Sequence, residues 1–165
     1  MLNFNPVNNK VSLNIFPWQK AKEFFNKEEK ERIVDAVRQA ERMTSGEVRV
    51  FVESKCRYMD PLDRAAEIFF NLEMDETDDH NAVLVYIAVK DRQLAVFGDE
   101  GIHKKVGDEY WNAEVKKMIG RFKNDNYAEG IREVVMDIGT ALNKHFPFNN
   151  DTDKNELPDD IVFGK

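Results

Sequence analysis

A long uninterrupted apolar run, from Ala82 to Val89, constrains the fold more than any other feature of the chain. The run is bounded by turn-forming residues, so it predicts a β-strand that is covered on both faces. The tripeptide Lys90-Asp91-Arg92 predicts a tight turn, and Gln93 to Phe97 predicts a second, shorter strand. A strand covered on both faces requires helices on each side of its sheet. The sequence therefore predicts a three-layer α/β/α sandwich with a short mixed central sheet flanked by helices.

Four segments with apolar residues at helical spacing supply the flanking layers. The first begins near Lys27, and the second begins at Asp60-Pro61, where Asp offers an oxygen to the first-turn amides and Pro loses no hydrogen bond. We expect Asp108 to cap the third helix. The fourth is expected to start at Asn126, and Glu129 three residues later predicts a capping box there.

The segment from Glu47 to Glu53 alternates apolar and charged side chains and predicts a further strand. If the helix that begins at Asp60 is a crossover, this strand lies parallel to the Ala82 strand, because parallel neighbours need such a connection. The tight turn after Val89 makes the following pair antiparallel. The starts of the first two strands and the end of the third strand would then share one edge of the sheet.

Acidic and amide side chains border that shared edge. Five carboxylates fall within residues 73–80, just before the central strand, although residues 75–79 lack the spacing of an EF-hand loop. Oxygen ligands favour Ca²⁺ or Mg²⁺ over zinc, for which His and Cys are the typical ligands. A solvated acidic loop that only keeps the protein soluble is the open alternative. The predicted metal site consists of Glu47, Asp79, Asn81, Asp99, Glu100 and Asp108.

The net charge and the lack of a membrane-spanning or signal-like segment argue against some classes of protein. The formal net charge of -7 argues against nucleic acid as a partner, because phosphate binding needs clustered cations. No stretch approaches the roughly 20 apolar residues of a membrane span, and no basic segment followed by an apolar one begins the chain. We therefore expect a cytoplasmic protein without a membrane span. The single cysteine, Cys56, excludes an intrachain disulfide.

The length of 165 residues is sufficient for one domain with a proper core. Residues 1–26, which begin with a polar, Asn-rich stretch, are expected to form an N-terminal arm. Residues 27–146 are expected to form the domain itself. Residues 147–165 are acidic and rich in turn-forming residues, and we expect them to form a flexible tail.

Three segments, taken in order, resemble the TPM domain family. They are Ser45-Gly-Glu-Val-Arg-Val50, the segment from Asn81 to Ile102, and Phe122-Lys-Asn-Asp-Asn-Tyr-Ala-Glu-Gly130. The family pattern has a Ser-Gly-x-Glu start, an Asn-Gly before an apolar strand, an Asp-Arg turn, a glycine-rich exit with an acid, and a late Tyr-x-x-Gly element. The resemblance covers roughly residues 27–145. The chain departs from the pattern at Ala82, where the family usually has Gly, and at residues 98–101, which replace the commoner Gly-Tyr-Gly-Leu-Glu.

The resemblance implies three hypotheses for the acidic residues. Some TPM domains bind calcium at an acidic depression, so the first hypothesis is a domain that binds Ca²⁺ or Mg²⁺ and has an accessory or repair-related role. A plant relative is described as an acid phosphatase, so a weak metal-dependent phosphatase is the second, although the chain has no P-loop and no Cys-x5-Arg motif. The third hypothesis is a protein-interaction module whose acidic loop, residues 73–80, binds a basic protein partner.

Overall fold

The computed structural model describes residues 21–56, 59–150 and 160–164. Within these residues the chain forms a mixed sheet flanked by α-helices. The strands are β1 (Glu47–Glu53), β2 (Ala82–Ala88), β3 (Gln93–Gly98) and β4 (Ile161–Phe163). The helices are α1 (Lys27–Arg42), α2 (Pro61–Asn71), α3 (Glu100–Val106), α4 (Asp108–Phe122) and α5 (Tyr127–His145), and two short 3-10 helices span Ala21–Glu23 and Met74–Glu76.

The sheet has the strand order β3-β2-β1-β4. Strands β1 and β2 are parallel, with Glu47 level with Ala82, and α2 forms the crossover between them. Strands β2 and β3 are antiparallel, with Val83 opposite Gly98. Both predicted pairings are therefore confirmed, and the sheet is mixed as expected.

Helices cover both faces of the sheet, as the apolar run of β2 requires. Every residue of β2 is buried, and its side chains alternate between two apolar clusters. Val83 and Val85 pack on the side of α1, α4 and α5, whereas Leu84 and Tyr86 pack on the side of α2. The predicted α/β/α sandwich is confirmed, with more helices on one face than on the other. None of the helices in the described ranges combines the length with the apolar character that a bilayer crossing requires.

The capping interaction predicted at the start of α2 is present, whereas the one predicted at the start of α5 is not. The Asp60 side chain accepts a hydrogen bond from the Leu62 amide at 2.9 Å at the start of α2, as predicted. The capping box predicted at the start of α5 does not form, because the Glu129 carboxylate is bound by Arg132 through two hydrogen bonds, at 2.6 and 3.0 Å. A complete capping box is present instead at the start of α1: Asn26, Glu29.

Helix α3 is absent from the sequence prediction, which treats the residues after β3 as a loop leading to Asp108. The helix has only 7 residues, and Ile102 is its one buried side chain, so no apolar period marks it. Gly107, with φ of 76°, separates α3 from α4. Asp99 is the N-cap of α3. The prediction that Asp108 caps a helix is wrong, because Asp108 is the first residue of α4 and Gly107 is its N-cap.

The described parts of the predicted arm and of the predicted tail both contribute to the fold. In the predicted arm, Ala21 and Phe25 are buried in the core and Asn26 caps α1. In the predicted tail, β4 pairs in parallel with β1, with Ile161 level with Val50. A three-residue strand is too short to show a period of two, so the acidic residues before it dominate the sequence pattern. The rest of the predicted arm and tail, residues 1–20, 151–159 and 165, lies outside the described residues.

Candidate functional site

The starts of β1 and β2 and the end of β3 meet at one edge of the sheet. Glu47 is level with Ala82, and the Asp99 amide donates a hydrogen bond to the Ala82 carbonyl at 2.9 Å. The Asn81 Nδ2 group lies 3.2 Å from the Ser45 Oγ atom, which joins the segment before β1 to the segment before β2. We call this region, formed by Ser45, Glu47, residues 77–81 and residues 99–101, the acidic edge.

Asp99 is anchored at the acidic edge through both of its carboxylate oxygens. Its side chain is largely buried, with 8% of the residue exposed. One carboxylate oxygen, Oδ1, accepts a hydrogen bond from the Glu100 amide at 2.8 Å and so begins α3. The other, Oδ2, lies 3.1 Å from Nδ1 of His80. Asp99 therefore links the loop before β2 to the helix after β3.

The side chain of Asn81 contains a buried oxygen without a hydrogen bond. The residue is 1% exposed, and its backbone amide donates to the Thr77 hydroxyl at 3.2 Å. The Nδ2 group is paired with Ser45, but Oδ1 has no hydrogen-bond partner among the described residues. A buried carbonyl oxygen without a donor costs about 1–3 kcal/mol, so this atom needs a partner such as water or a cation.

The turn that precedes β2 is held against the start of α3. The Ile102 amide donates to the His80 carbonyl at 3.2 Å, and His80 itself has a positive φ of 49°. Gly101 lies directly against this turn: a Cβ atom there would overlap the Asp79 carbonyl oxygen and would lie 2.6 Å from the His80 carbonyl oxygen. The absence of a side chain at Gly101 therefore allows the turn and the helix to pack together.

Three of the predicted ligands have exposed side chains: Asp79, Glu100 and Asp108. Asp79 is exposed, although its backbone is held by the contact with Gly101. Glu100 is exposed and lies 2.5 Å from the Lys104 Nζ atom, and hydrogen bonding to Lys104 lowers the pKa of Glu100. Asp108 is at the start of α4, with Oδ1 3.8 Å from Nε2 of His103. Asp108 thus borders α3 from its far end rather than from the acidic edge.

Glu47 is buried, with 2% of the residue exposed, beside another buried charged residue, Arg49. Burial lowers the pKa of the Arg49 guanidinium, and the nearby carboxylates of Glu41 and Glu47 partly counteract this effect. Glu47 thus contributes negative charge at the start of β1, but it also acts as a counter-ion to Arg49. Spacing in the sequence does not reveal this second role.

The acidic edge is not a cage of acidic ligands. Within residues 21–56, 59–150 and 160–164, no three His, Cys, Asp or Glu side chains converge in a way that could hold a metal ion. The oxygen donors of the edge are the Asp99 carboxylate and the Asn81 amide, with the Ser45 hydroxyl bonded to the Asn81 side chain and the Thr77 hydroxyl bonded to its backbone amide. A cation bound here would complete its coordination with water.

Ser45, Thr77 and His80 belong to the acidic edge but are missing from the predicted site. Thr77 is 4% exposed and bonds to the amide of Asn81 four residues later, a local contact that the spacing alone could have indicated. His80 could be a ligand or a proton shuttle by its position beside Asp79, but a surface imidazole is the expectation from the sequence; in the structure its ring is paired with Asp99 across 19 residues of chain. Contacts of that kind depend on the hairpin register and are not visible in the sequence.

The Asp91-Arg92 turn lies at the opposite end of the sheet, where β2 leads into β3. Its Asp91 Oδ2 atom accepts a hydrogen bond from the Cys56 amide at 2.6 Å, and Arg92 has a positive φ of 54°. Both observations fit a role in shaping the turn, as predicted. Asp91 therefore takes no part in the acidic edge.

The thiol of Cys56 is predicted to react slowly with alkylating agents. The residue is 7% exposed, its Sγ atom donates to the Met59 carbonyl at 3.3 Å, and burial raises the pKa of the thiol. Since the thiolate is the reactive form, iodoacetamide at pH 8 should modify the folded protein at least about tenfold more slowly than the protein in urea. Equal rates in the two states would contradict the buried position of Cys56.

Comparison with known proteins identifies the family of this chain. A family model described as the TPM domain matches residues 19–141. The BA42 protein from the psychrophilic bacterium Bizionia argentinensis, solved by NMR, is 41% identical, with a TM-score of 0.79 over 87% of this chain and 97% of that chain. A comparison with curated proteins finds no match.

Two more distant solution structures share the fold alone. The N-terminal domain of a protein from P. gingivalis is 18% identical, with a TM-score of 0.57 over 76% of this chain and 83% of that chain. The N-terminal domain of the cg2496 protein from Corynebacterium glutamicum is 14% identical, with a TM-score of 0.53 over 72% of this chain and 74% of that chain. With a family model matched over most of its length, the chain belongs to the TPM domain family.

Proposed function

We propose that this TPM domain binds a divalent cation, Ca²⁺ or Mg²⁺, at the acidic edge and acts as an accessory domain. One observation carries the proposal: Oδ1 of Asn81 is buried and has no hydrogen-bond partner among the described residues. The chain segment that follows Asn81 is bonded to the Asp99 amide, so a partly buried carboxylate lies at the same edge. A hard cation would satisfy the amide oxygen and the carboxylate together.

The donors available at the acidic edge fit a hard cation and do not fit zinc. They are carboxylate, amide and hydroxyl oxygens, and the one nearby imidazole, His80, is already paired with Asp99. The ligands proposed first are Asp99 and Asn81. Asp79 and Glu47 would add negative charge beside them, whereas Glu100 and Asp108 would act only at longer range.

The expected affinity is low, because the site offers few charged ligands. Ca²⁺ sites with few carboxylates and several waters bind with Kd values on the order of 1 mM. A tenfold excess of Ca²⁺ over such a Kd would raise the free energy of unfolding by about 1.4 kcal/mol. This increase is large enough to detect as a shift of the thermal unfolding midpoint.

The substitution Asp99→Asn tests the proposal with little structural change. Asn is as good an N-cap as Asp and can still bond to the Glu100 amide and to His80, so the fold should remain while the ligand charge is lost. Calorimetric titration with CaCl₂ should give a Kd at least about tenfold higher for this variant than for the unchanged protein. The matched control is Asp35→Asn, which removes an exposed carboxylate on α1.

Two results would contradict the proposal. One is a Ca²⁺ affinity that is the same in the unchanged protein and in the folded Asp99→Asn variant. The other is an equal loss of affinity in the Asp35→Asn control, since this would indicate a diffuse attraction between Ca²⁺ and a protein with a net charge of -7.

A metal-dependent phosphatase at the same edge is a second candidate. It is favoured by the pairing of His80 Nδ1 with Asp99 Oδ2 at 3.1 Å, because a carboxylate that orients an imidazole is a common arrangement for proton transfer. Hydrolysis of an aryl phosphate in Mg²⁺ should then disappear in both the Asp99→Asn and the His80→Gln proteins. Hydrolysis that persists in both variants would exclude this activity.

A further inference from the structure

An open cleft lies at the end of the sheet opposite the acidic edge. Its volume is about 900 Å³, within the range of small-molecule sites. Residues at the carboxyl ends of three parallel strands line it: Ser54 directly after β1, Lys90 two residues after β2, and Gly164 directly after β4. The chain leaves β1 for α2 on one face and reaches β4 after α5, which lies on the other face. Ligand sites in open α/β sheets form at the carboxyl ends of strands where the connections change faces.

Arg64 of α2 lines this cleft and is held by a buried carboxylate. Glu53, the last residue of β1, is 4% exposed and accepts two hydrogen bonds from the guanidinium, from Nε and from Nη2, both at 2.9 Å. The Tyr86 hydroxyl donates to the same carboxylate at 2.5 Å. The Tyr86 and Glu53 side chains therefore fix the position of the arginine, which remains 28% exposed.

A guanidinium has two edges that can each bind an oxyanion through two hydrogen bonds. Glu53 occupies the edge formed by Nε and Nη2. The second edge, formed by Nη1 and Nη2, contacts only the Glu67 carboxylate among the described residues, through one hydrogen bond from Nη1 at 2.8 Å. Glu67 is one turn further along α2, and its side chain is 48% exposed. An exposed ion pair of this kind contributes little, so Glu67 is easily displaced.

The surroundings of the second edge favour an anionic ligand with an organic body. Lys55 lines the cleft, is exposed, and makes no ion pair within the described part of the chain. Ser54 lines the same wall, and Met59, 41% exposed, adds an apolar surface. Gly164 also lines the cleft and packs closely against β1, because a Cβ there would lie 2.8 Å from the Glu53 Cβ.

We infer that this cleft is a binding site for a small organic oxyanion, a carboxylate or a phosphate, which the second edge of Arg64 recognises. The anion replaces the Glu67 carboxylate on Nη1 and also accepts a hydrogen bond from Nη2. Lys55 supplies a second positive charge, and Met59 contacts the organic body. The site is separate from the acidic edge and does not need a metal ion.

Titration with benzoate and with inorganic phosphate, followed by NMR at constant ionic strength, tests this inference. We expect saturable shifts of the Ser54, Lys55 and Gly164 amides and of the Arg64 Nε proton, with chloride as the reference anion. Larger shifts with benzoate would assign the site to carboxylates, and larger shifts with phosphate would assign it to phosphates. Either result supports an oxyanion site.

Three variants separate this site from general charge attraction. Glu67→Gln removes the competing carboxylate and should tighten binding about threefold, whereas Lys55→Gln should weaken it about threefold. Lys116→Gln, on an exposed part of α4 on the other face of the sheet, should leave the affinity unchanged. The inference is overturned if neither anion gives saturable shifts, if Glu67→Gln fails to tighten binding, or if Lys116→Gln weakens it as much as Lys55→Gln.

Discussion

Replacing Gly101 with alanine is expected to lower the free energy of unfolding by about 3 kcal/mol, the upper end of the range for overpacking in a well-packed region. The added Cβ would overlap the Asp79 carbonyl oxygen and would lie 2.6 Å from the His80 carbonyl oxygen. Both are backbone atoms, so no side chain can rotate away, and the turn must separate from α3. The Ile102–His80 hydrogen bond would then lengthen or break. Thermal unfolding is the direct measurement.

The same substitution at Gly120 is the matched control. Gly120 is in α4, and a Cβ there would meet no atom within 4 Å. Since alanine is the better helix former, Gly120→Ala should raise the free energy of unfolding by about 0.5–1 kcal/mol. The two variants should therefore shift the unfolding midpoint in opposite directions, by about 2–4 °C for each kcal/mol. A Gly101→Ala protein as stable as the unchanged protein would contradict the packing described at the acidic edge.

Glu114 of α4 is predicted to make stability depend on pH. The residue is 4% exposed, and its Oε2 atom has no hydrogen-bond partner among the described residues. Burial raises the pKa of Glu114 to about 7, with a further contribution from the Asp137 carboxylate on α5, while Lys117 acts in the opposite direction. Lys117 lies 3.5 Å from Glu114 and 2.6 Å from Asp137. Burial raises the pKa of the neighbouring Tyr110, and the Glu114 and Asp137 carboxylates raise it further.

The sign of the pH dependence follows from that raised pKa. Between the ordinary pKa of 4.5 and the folded-state value of about 7, the folded protein binds more protons at Glu114 than the unfolded chain does. The contribution of this group to the free energy of unfolding therefore falls as the pH rises through this interval, by up to about 3 kcal/mol, and is constant above it. Glu114→Gln removes this loss, so the variant should gain stability relative to the unchanged protein between pH 5 and pH 8.

Urea unfolding at a series of pH values measures this difference. Glu109→Gln is the control, since it removes an exposed carboxylate from the same helix and should give a difference that varies little with pH. If the stability difference between Glu114→Gln and the unchanged protein is the same at pH 5 and pH 8, Glu114 is ionised throughout this range. The prediction that its buried carboxyl group is protonated would then be wrong.

The layers of the fold could be predicted because they follow from local patterns that tertiary contacts reinforce. The apolar run of β2 requires cover on both faces, and the Asp60-Pro61 start of α2 supplies the crossover that makes β1 and β2 parallel. Helix α3 and strand β4 were not predictable in this way, because each is too short to show a period. The capping box expected at Asn126 fails because Arg132 competes for Glu129, and propensity does not reveal such competition.

The acidic edge could be predicted in location but not in detail. Parallel register brings the start of β1 beside the start of β2, and the hairpin brings Asp99 to the same end. The partner of each carboxylate depends on side-chain packing: His80 pairs with Asp99, and Glu47 lies beside Arg49. The Glu100–Lys104 pair, four residues apart, would have been visible only if α3 had been predicted.

A calcium titration that follows the side-chain NH₂ signals of Asn81 tests the central claim most directly. Nδ2 lies 3.2 Å from the Ser45 oxygen, so these signals are fixed in one environment, and they report on the Oδ1 atom of the same amide. We predict saturable shifts of the Asn81 side chain together with the Asp99 and His80 amides, reversed by a chelator. If millimolar Ca²⁺ and Mg²⁺ leave the Asn81 side-chain signals unmoved while other acidic regions shift, the acidic edge does not bind a divalent cation.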